Sequence, residues 1–294
     1  MAMVYKPSIG EKIFNVFNIL IMAIMILICL YPFWYCLTCS LSKNIVGNTA
    51  SLMLLPKGFS IAAYKQTLTD PLIINGYKIT LFVVVVGTLI NLVATTIAAF
   101  LLTRRNFAIR GFLMWLMLIT MYFGGGMIPT YVVYTKVLGL ENSILSLILP
   151  GAVSVYNMIV MRTNFDAIPK SLEESVKVDG GNDMHVLWHI IIPLSKAVIS
   201  VMVLFYGVGH WNAWFNAMLY MRDNTKIPLQ LALRSLLIVN DSEQAASAGT
   251  ADSAGLAENL KFATILVATV PILLVYPFIQ KYFVKGVMIG AVKG

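Results

Sequence analysis

The sequence predicts an all-α polytopic membrane protein with six transmembrane helices and a helical elbow between the fourth and the fifth. Three observations predict it. Apolar residues make up 59% of the 294 and charged residues only 12%, with a mean hydropathy of +0.82; soluble domains carry about 45–50% and about 25%. Six runs are long and apolar enough to cross a bilayer: Ile13–Cys36, Ile79–Thr103, Phe112–Tyr134, Ser143–Met161, Ala197–Met221 and Phe262–Gln280. About 30 Å of hydrocarbon takes about 20 helical residues, and amides in lipid must be satisfied within their own segment. None of the six runs contains Asp, Glu, Lys or Arg.

The first run is too long for the apolar core of a signal peptide and has no A-x-A site, so it reads as a retained span. Cys29, Cys36 and Cys39 fall in it or at its end. "CLTC" (36–39) has the C-x-x-C spacing but lacks further ligands or a thioredoxin-like context, so the thiols read as small apolar side chains. Segment 37–78 follows as a long outer loop. In the second run Gly87, Ala94 and Ala98 permit close approach of another helix. The loop "RRNFAIR" then concentrates Arg104, Arg105 and Arg110, whereas "KVLGLEN", the next loop and on the other side, holds Lys136 as its one cation. Short cytoplasmic loops are the ones enriched in Lys and Arg. Together with Arg162, Lys281 and Lys285 this puts both termini in the cytoplasm. The net charge of +8 is accounted for in this way, and no nucleic-acid partner is expected.

The third run contains "FGGGMIP" (123–129), where three glycines and a proline weaken a helix. Irregular backbone at membrane depth must face protein or a wet cavity, so the glycines suit either close helix packing or a cavity wall. In the fourth run Tyr156 and Asn157 are polar. In the fifth, "FYGVGHWNAWFNAMLYM" (205–221), helical spacing sets Gly209, Asn212, Asn216 and Tyr220 on one face, with His210, Trp211 and Trp214 nearby. Amides beside flat rings suit a sugar, which has polar rims and C–H faces. They also suit an interfacial aromatic belt with interhelical bonds. Segment 222–261, polar and rich in Ala and Ser, reads as a mobile outer loop. No internal repeat or linker divides the chain. It reads as one membrane domain, 1–294, with core spans over 79–280.

The elbow spans 169–193 and includes "SLEESVKVDGGNDMHVLWHIIIPL" (171–194). Ser171 and Glu174 have capping-box spacing, predicting a helix from Leu172. Asp179-Gly180-Gly181 ends it, since glycine accepts the left-handed conformation of helix C-termini. Asn182 or Asp183 caps a second arm carrying Met184, Leu187, Trp188 and Ile191, and Pro193 turns the chain back. Each arm is too short to be stable alone, so the elbow must dock. Its mixture of apolar residues with Glu173, Glu174, Lys177 and Asp179 suits a protein groove better than a lipid surface. His185 and His189 lack the intervening Glu of an H-E-x-x-H metal site and read as interfacial polar residues.

Function classes narrow accordingly. No G-x-x-x-x-G-K-[ST] motif is present to hold nucleotide phosphates. Ion-coupled transporters normally carry ionisable groups within the membrane, and His210 is the one side chain in the spans that readily takes a charge near neutral pH. An ion-coupled secondary transporter of a sugar and a membrane enzyme acting on lipid-linked sugars stay as alternatives.

The elbow resembles the EAA loop of binding-protein-dependent ABC importer permeases. That pattern is E-A-A, three residues, G, nine residues, then I-x-L-P. Glu174 stands at the E, Gly180 at the G, and Ile190 and Pro193 at the last landmarks. Ser175 and Val176 replace the two alanines, and Ile192 replaces the leucine. "MLLPKGFSIAAYKQTL" (53–68), "GGGMIPTYVV" (124–133) and "YPFIQKYFVKGVMIGAVKG" (276–294) look like the carbohydrate branch, and so extend the resemblance over the whole chain. They are most similar to a maltose-permease-like second transmembrane subunit near the permeases for alginate and other uronic oligosaccharides.

The resemblance implies a type I ABC importer permease fold in the bacterial inner membrane, surrounded by lipid. It implies a second homologous permease subunit, two ATPase subunits, an extracytoplasmic solute-binding protein and an oligosaccharide substrate. It implies no chemistry and no cofactor on this chain, with ATP and Mg bound by the ATPase partners. Glu174, Ser175, Val176, Asp179, Gly180, Ile190 and Pro193 would couple to the ATPase. Tyr156, Asn157, Gly209, His210, Trp211, Asn212, Asn216 and Tyr220 would line the path, and the 222–261 loop would reach toward the binding protein.

Overall fold

The computed structural model describes residues 8–43, 53–246, 258–275 and 277. The 276–294 tail and the loop segments 44–52 and 247–257 lie largely or wholly outside these. The helices are α1 (Ile9–Ser40), α2 (Ala62–Thr69), α3 (Pro71–Thr103), α4 (Arg110–Tyr122), α5 (Met127–Val137), α6 (Leu145–Gly151), α7 (Val155–Asp166), α8 (Lys170–Val178), α9 (Asp183–Leu194), α10 (Lys196–Asn212), α11 (Phe215–Tyr220), α12 (Leu229–Ala246) and α13 (Glu258–Val275). Three of them, α1, α3 and α13, are long and apolar enough to cross a membrane alone. Three bent pairs pass the same test: α4 with α5 at 116°, α6 with α7 at 51°, and α9 with α10 at 81°.

Two compact units form. One comprises 1–69 and 236–267, the other 70–235 and 268–294. In the first, Ser8 and Glu11 make a capping box that starts α1 (Ser8 N–H to Glu11 Oε2, 2.7 Å). Over its most apolar window no residue of α1 is buried among the described residues, so it displays apolar side chains all round, as a helix in lipid does. Its C-terminal end is tied down: the Trp34 indole donates to Leu54 O at 2.9 Å, and the Asn259 amide donates to Ser42 O at 2.7 Å. The three cysteines are free, with Cys39 buried.

In the second unit, α3 begins at Pro71, eight residues before the predicted Ile79. Asp70 accepts from Leu72 N–H at 2.7 Å, and proline at the first helical position costs no hydrogen bond. The core joins four elements: Ala99, Phe100 and Leu102 of α3, Met158, Met161 and Phe165 of α7, Val186, Leu187 and Ile191 of α9, and Met202 and Tyr206 of α10.

Breaks shape the rest. Phe123–Gly126 separates α4 from α5, and Gly126 has φ +84. A Cβ at Gly124 or Gly125 would meet nothing within 4 Å among the described residues, so no close packing is seen at those glycines. Residues 222–261 were expected to be a mobile loop. Instead α12 occupies 229–246, with Leu229, Ala232 and Leu233 buried. The Ala/Ser-rich composition concealed an apolar face at helical spacing, and Leu229 N–H donates to Thr80 Oγ1 at 2.8 Å.

Candidate functional site

The elbow forms as two arms, with one correction. The capping box predicted at Ser171 and Glu174 is absent. Helix α8 starts at Lys170 with Pro169 as its cap residue and no side-chain cap bond. Proline holds the entry φ at −57, and Leu172 N–H bonds Pro169 O at 3.2 Å. The backbone thus closes the first turn before Ser171 can act. The C-terminus follows the sequence. Gly181 N–H donates to Val176 O at 2.8 Å and Gly180 N–H to Lys177 O at 3.1 Å, the paired bonds of a Schellman motif. Gly180 has φ +80, a conformation that costs side-chain-bearing residues about 1–2 kcal/mol. Asn182 then caps α9, accepting from His185 N–H at 3.0 Å.

Helix α9 buries Val186, Leu187 and Ile191 and exposes Met184 and Trp188. A π turn over Leu187–Ile191 precedes Pro193, which lacks the N–H a regular helix would use there. The turn into α10 falls at Ser195, two residues past the proline. His185 and His189 stack at 5.7 Å, and no group of three metal-ligating side chains occurs among the described residues.

Of the resembled coupling residues, Glu174, Ser175, Asp179, Gly180 and Pro193 are exposed and Ile190 is half-buried. Val176 turns inward against the core. Glu174 has no hydrogen-bond or ion-pair partner among the described residues. Its neighbour Glu173 is held: both carboxylate oxygens accept from the Arg104 guanidinium, at 2.5 and 2.9 Å. A polar cleft of about 340 Å³ lies alongside, lined in part by Arg105, Asp166, Lys170 and Glu174. Sequence reasoning missed Arg104 as Glu173's partner, because the two are 69 positions apart. It named Gly181 as part of the turn but not the steric need for glycine there, where a Cβ would lie 2.8 Å from Val176 O.

The predicted path residues do not form one surface. Helix α10 stops at Asn212, Ala213 is extended, and α11 restarts at Phe215. The single face proposed for Gly209, Asn212, Asn216 and Tyr220 therefore does not exist. The stretch has neither Gly nor Pro at the break, where Trp214 lies under the Arg234 guanidinium at 4.1 Å. Gly209 and Asn212 are exposed and Asn216 is half-buried. Tyr220 is buried, stacked on Tyr131 at 6.0 Å and tilted against Tyr134 at 5.7 Å. Arg222 continues this cluster, donating to Tyr131 Oη at 3.0 Å and Glu141 at 3.1 Å. The following turn is fixed by Asp223, whose carboxylate is held below its ordinary pKa by the Thr225 hydroxyl and N–H that it accepts from.

His210 faces inward. Its Nε2 lies 2.7 Å from Asn91 Oδ1, and Asn91 Nδ2 donates to Gly151 O and Ala152 O at 2.6 and 3.0 Å. Trp211 lines an apolar groove of about 630 Å³ with Tyr77, Leu81, Gly207 and Ile272, not the mixed surface expected. Tyr156 is exposed and Asn157 buried on α7.

Comparison with known proteins places this architecture. Residues 91–289 match the family model for the binding-protein-dependent transport system inner membrane component. Protein LplC of Bacillus subtilis is 40% identical over 283 residues, 96% of either chain. The polygalacturonan/rhamnogalacturonan transport system permease protein YtcP of the same organism is 40% identical, over 91% of this chain and 94% of that one. A chain of a bacterial ABC transporter involved in import of the acidic polysaccharide alginate superposes with a TM-score of 0.85 at 30% identity, covering 95% of this chain and all of that one. With its apolar spans, its broken helices and an elbow rooted in the core, this chain belongs to the family of binding-protein-dependent transport system inner membrane components, as a multi-pass ABC importer permease.

Proposed function

We propose that this permease forms half of the path for an oligosaccharide delivered by an extracytoplasmic solute-binding protein, and that its elbow docks on a partner ATPase. The carrying observation is the contrast within the elbow. Its second arm roots one face, Val186, Leu187 and Ile191, in the permease core, while Glu174, Asp179 and Gly180 stand exposed on the first arm and the turn. An exposed acid without an internal partner, on a helix braced from behind, suits a basic residue of a second protein. ATP and Mg belong to that second protein. A second permease subunit completes the path, because six spans of one chain enclose only part of it. Both termini lie in the cytoplasm, on the side of the arginine-rich loop after α3.

The oligosaccharide reading is supported by the relatives' names, one a polygalacturonan/rhamnogalacturonan permease and one an alginate importer. It is supported too by the aromatic and guanidinium groups around Tyr131, Tyr220 and Arg222. Family membership favours this over an ion-coupled transporter or a lipid-linked-sugar enzyme. The test is Glu174→Lys in the assembled complex. Loss of the co-purifying ATPase, with membrane insertion intact, is expected; an ATPase retained at native stoichiometry overturns the docking face.

A further inference from the structure

The first arm of the elbow is attached to the permease body in two ways. Val176 packs on the core, and Glu173 is gripped by Arg104. Among the described residues, no other hydrogen bond or ion pair joins 170–178 to anything outside the elbow. The grip has three features that a solvated surface pair lacks. It is bidentate, with the two guanidinium nitrogens on the two carboxylate oxygens. It is sheltered, with side-chain exposures of 14% and 16%. And Arg104 is itself immobilised: its guanidinium lies 4.2 Å over the buried Phe100 ring, and Nε and Nη2 bond Thr103 Oγ1 at 3.1 and 3.0 Å. Exposed ion pairs contribute little because both side chains must be ordered to form them. Here the arginine is ordered already.

Arg104 is also the residue that ends α3. Partway back along the same rod, about 20 Å away at about 1.5 Å per residue, Asn91 binds the two carbonyls freed by the break between α6 and α7. A push on the first arm therefore enters α3 at Arg104 and reaches that break without crossing a flexible link.

From this we infer that Arg104 and Glu173 are positioning residues for coupling: they form the rigid joint through which displacement of the elbow is delivered to α3. This rests on the docking role proposed above for the elbow. A planar two-point pair resists both sliding and rotation, whereas apolar contact at Val176 alone leaves the arm free to pivot. The adjacent acids divide the work, with Glu173 facing the body and Glu174 facing the partner.

The test uses the full transporter with its ATPase subunits, in a background lacking Cys29, Cys36 and Cys39. Spin labels go at Val178→Cys on the first arm and Val93→Cys on α3, both exposed positions. In the otherwise native chain the distance between the labels is expected to be the same with and without bound ATP. In Glu173→Gln and Arg104→Gln the ATPase still co-purifies, but the distance broadens and shifts when ATP binds. The exchange pair Arg104→Glu with Glu173→Arg restores the single narrow distance. A native distance that itself changes with ATP, or neutralised variants that match the native chain, overturns the joint. Loss of the ATPase from the neutralised variants also overturns it, since the pair then serves folding or docking. Glu174→Lys is the separate control: an ATPase retained in that variant removes the docking assignment, whatever the joint does.

Discussion

The His210 ring nitrogen Nε2 sits 2.7 Å from Asn91 Oδ1, and the partners of Asn91 decide which of the two donates. Asn91 faces two carbonyl acceptors, Gly151 O and Ala152 O, so its nitrogen must point to them and its oxygen to the histidine. His210 therefore carries its proton on Nε2. The break between α6 and α7 leaves those carbonyls without helical partners, which the membrane interior does not tolerate. Alongside, the Tyr206 hydroxyl bonds Thr95 at 2.6 Å and accepts from Ser154 N–H at 3.1 Å.

Asn91→Leu is accordingly expected to destabilise the chain by about 1–2 kcal/mol, the cost of unpaired buried carbonyls reduced by the partners a membrane protein finds elsewhere. His210→Gln, which can still donate, should lose less than His210→Phe. Gly87 adds a steric check. A Cβ there would stand 2.7 Å from His210 Nε2, so Gly87→Ala should displace the ring, and Gly87→Ala with His210→Ala should cost less than the sum of the two. Thermal unfolding in detergent measures all of these.

The two glycines of the elbow turn should fail differently. At Gly180 the backbone φ is +80 with open space around the Cβ position. Gly180→Asn should be milder than Gly180→Ala, because asparagine tolerates the left-handed region. At Gly181 the obstacle is steric, with Val176 Cγ1 at 2.5 Å and Val176 O at 2.8 Å from an added Cβ. There asparagine and alanine should be equally harmful. ATPase co-purification with each of the four variants is the readout; equal effects of Asn and Ala at Gly180 would contradict the conformational account.

Asn212 and Asn216 lie on either side of the break after α10. Changing both to leucine is expected to leave ATPase binding intact and raise the KM for uptake. An unaltered KM removes them from the path.

Legibility followed the range of the physics. The end of the first arm could be read from Asp179-Gly180-Gly181, because the motif is local and glycine alone is comfortable at φ +80. The Asn182 cap and the break at Gly124–Gly126 were legible for the same reason. Two local readings failed where another local force intervened. Pro169 closed the first turn of α8 ahead of Ser171, and Asp70-Pro71 started α3 early. The misjudged face of the fifth run had no local cause to find, since "HWNAWF" carries no helix breaker and its break sits where Trp214 meets Arg234, 20 residues on.

Hydrophobic content, run length and the placement of arginines determined by themselves that this chain is a polytopic membrane protein, and the spacing from Glu174 to Pro193 determined its resemblance to one class of permease. These properties depend on transfer free energy and on neighbours along the chain, both of which a sequence states directly. Only the tertiary structure decided that Glu173 belongs to Arg104 while Glu174 stays exposed, and that His210 meets Asn91 beside a broken helix. Such pairings join residues 69 and 119 positions apart. Which groups meet at that separation is settled by helix packing, and no local pattern encodes it.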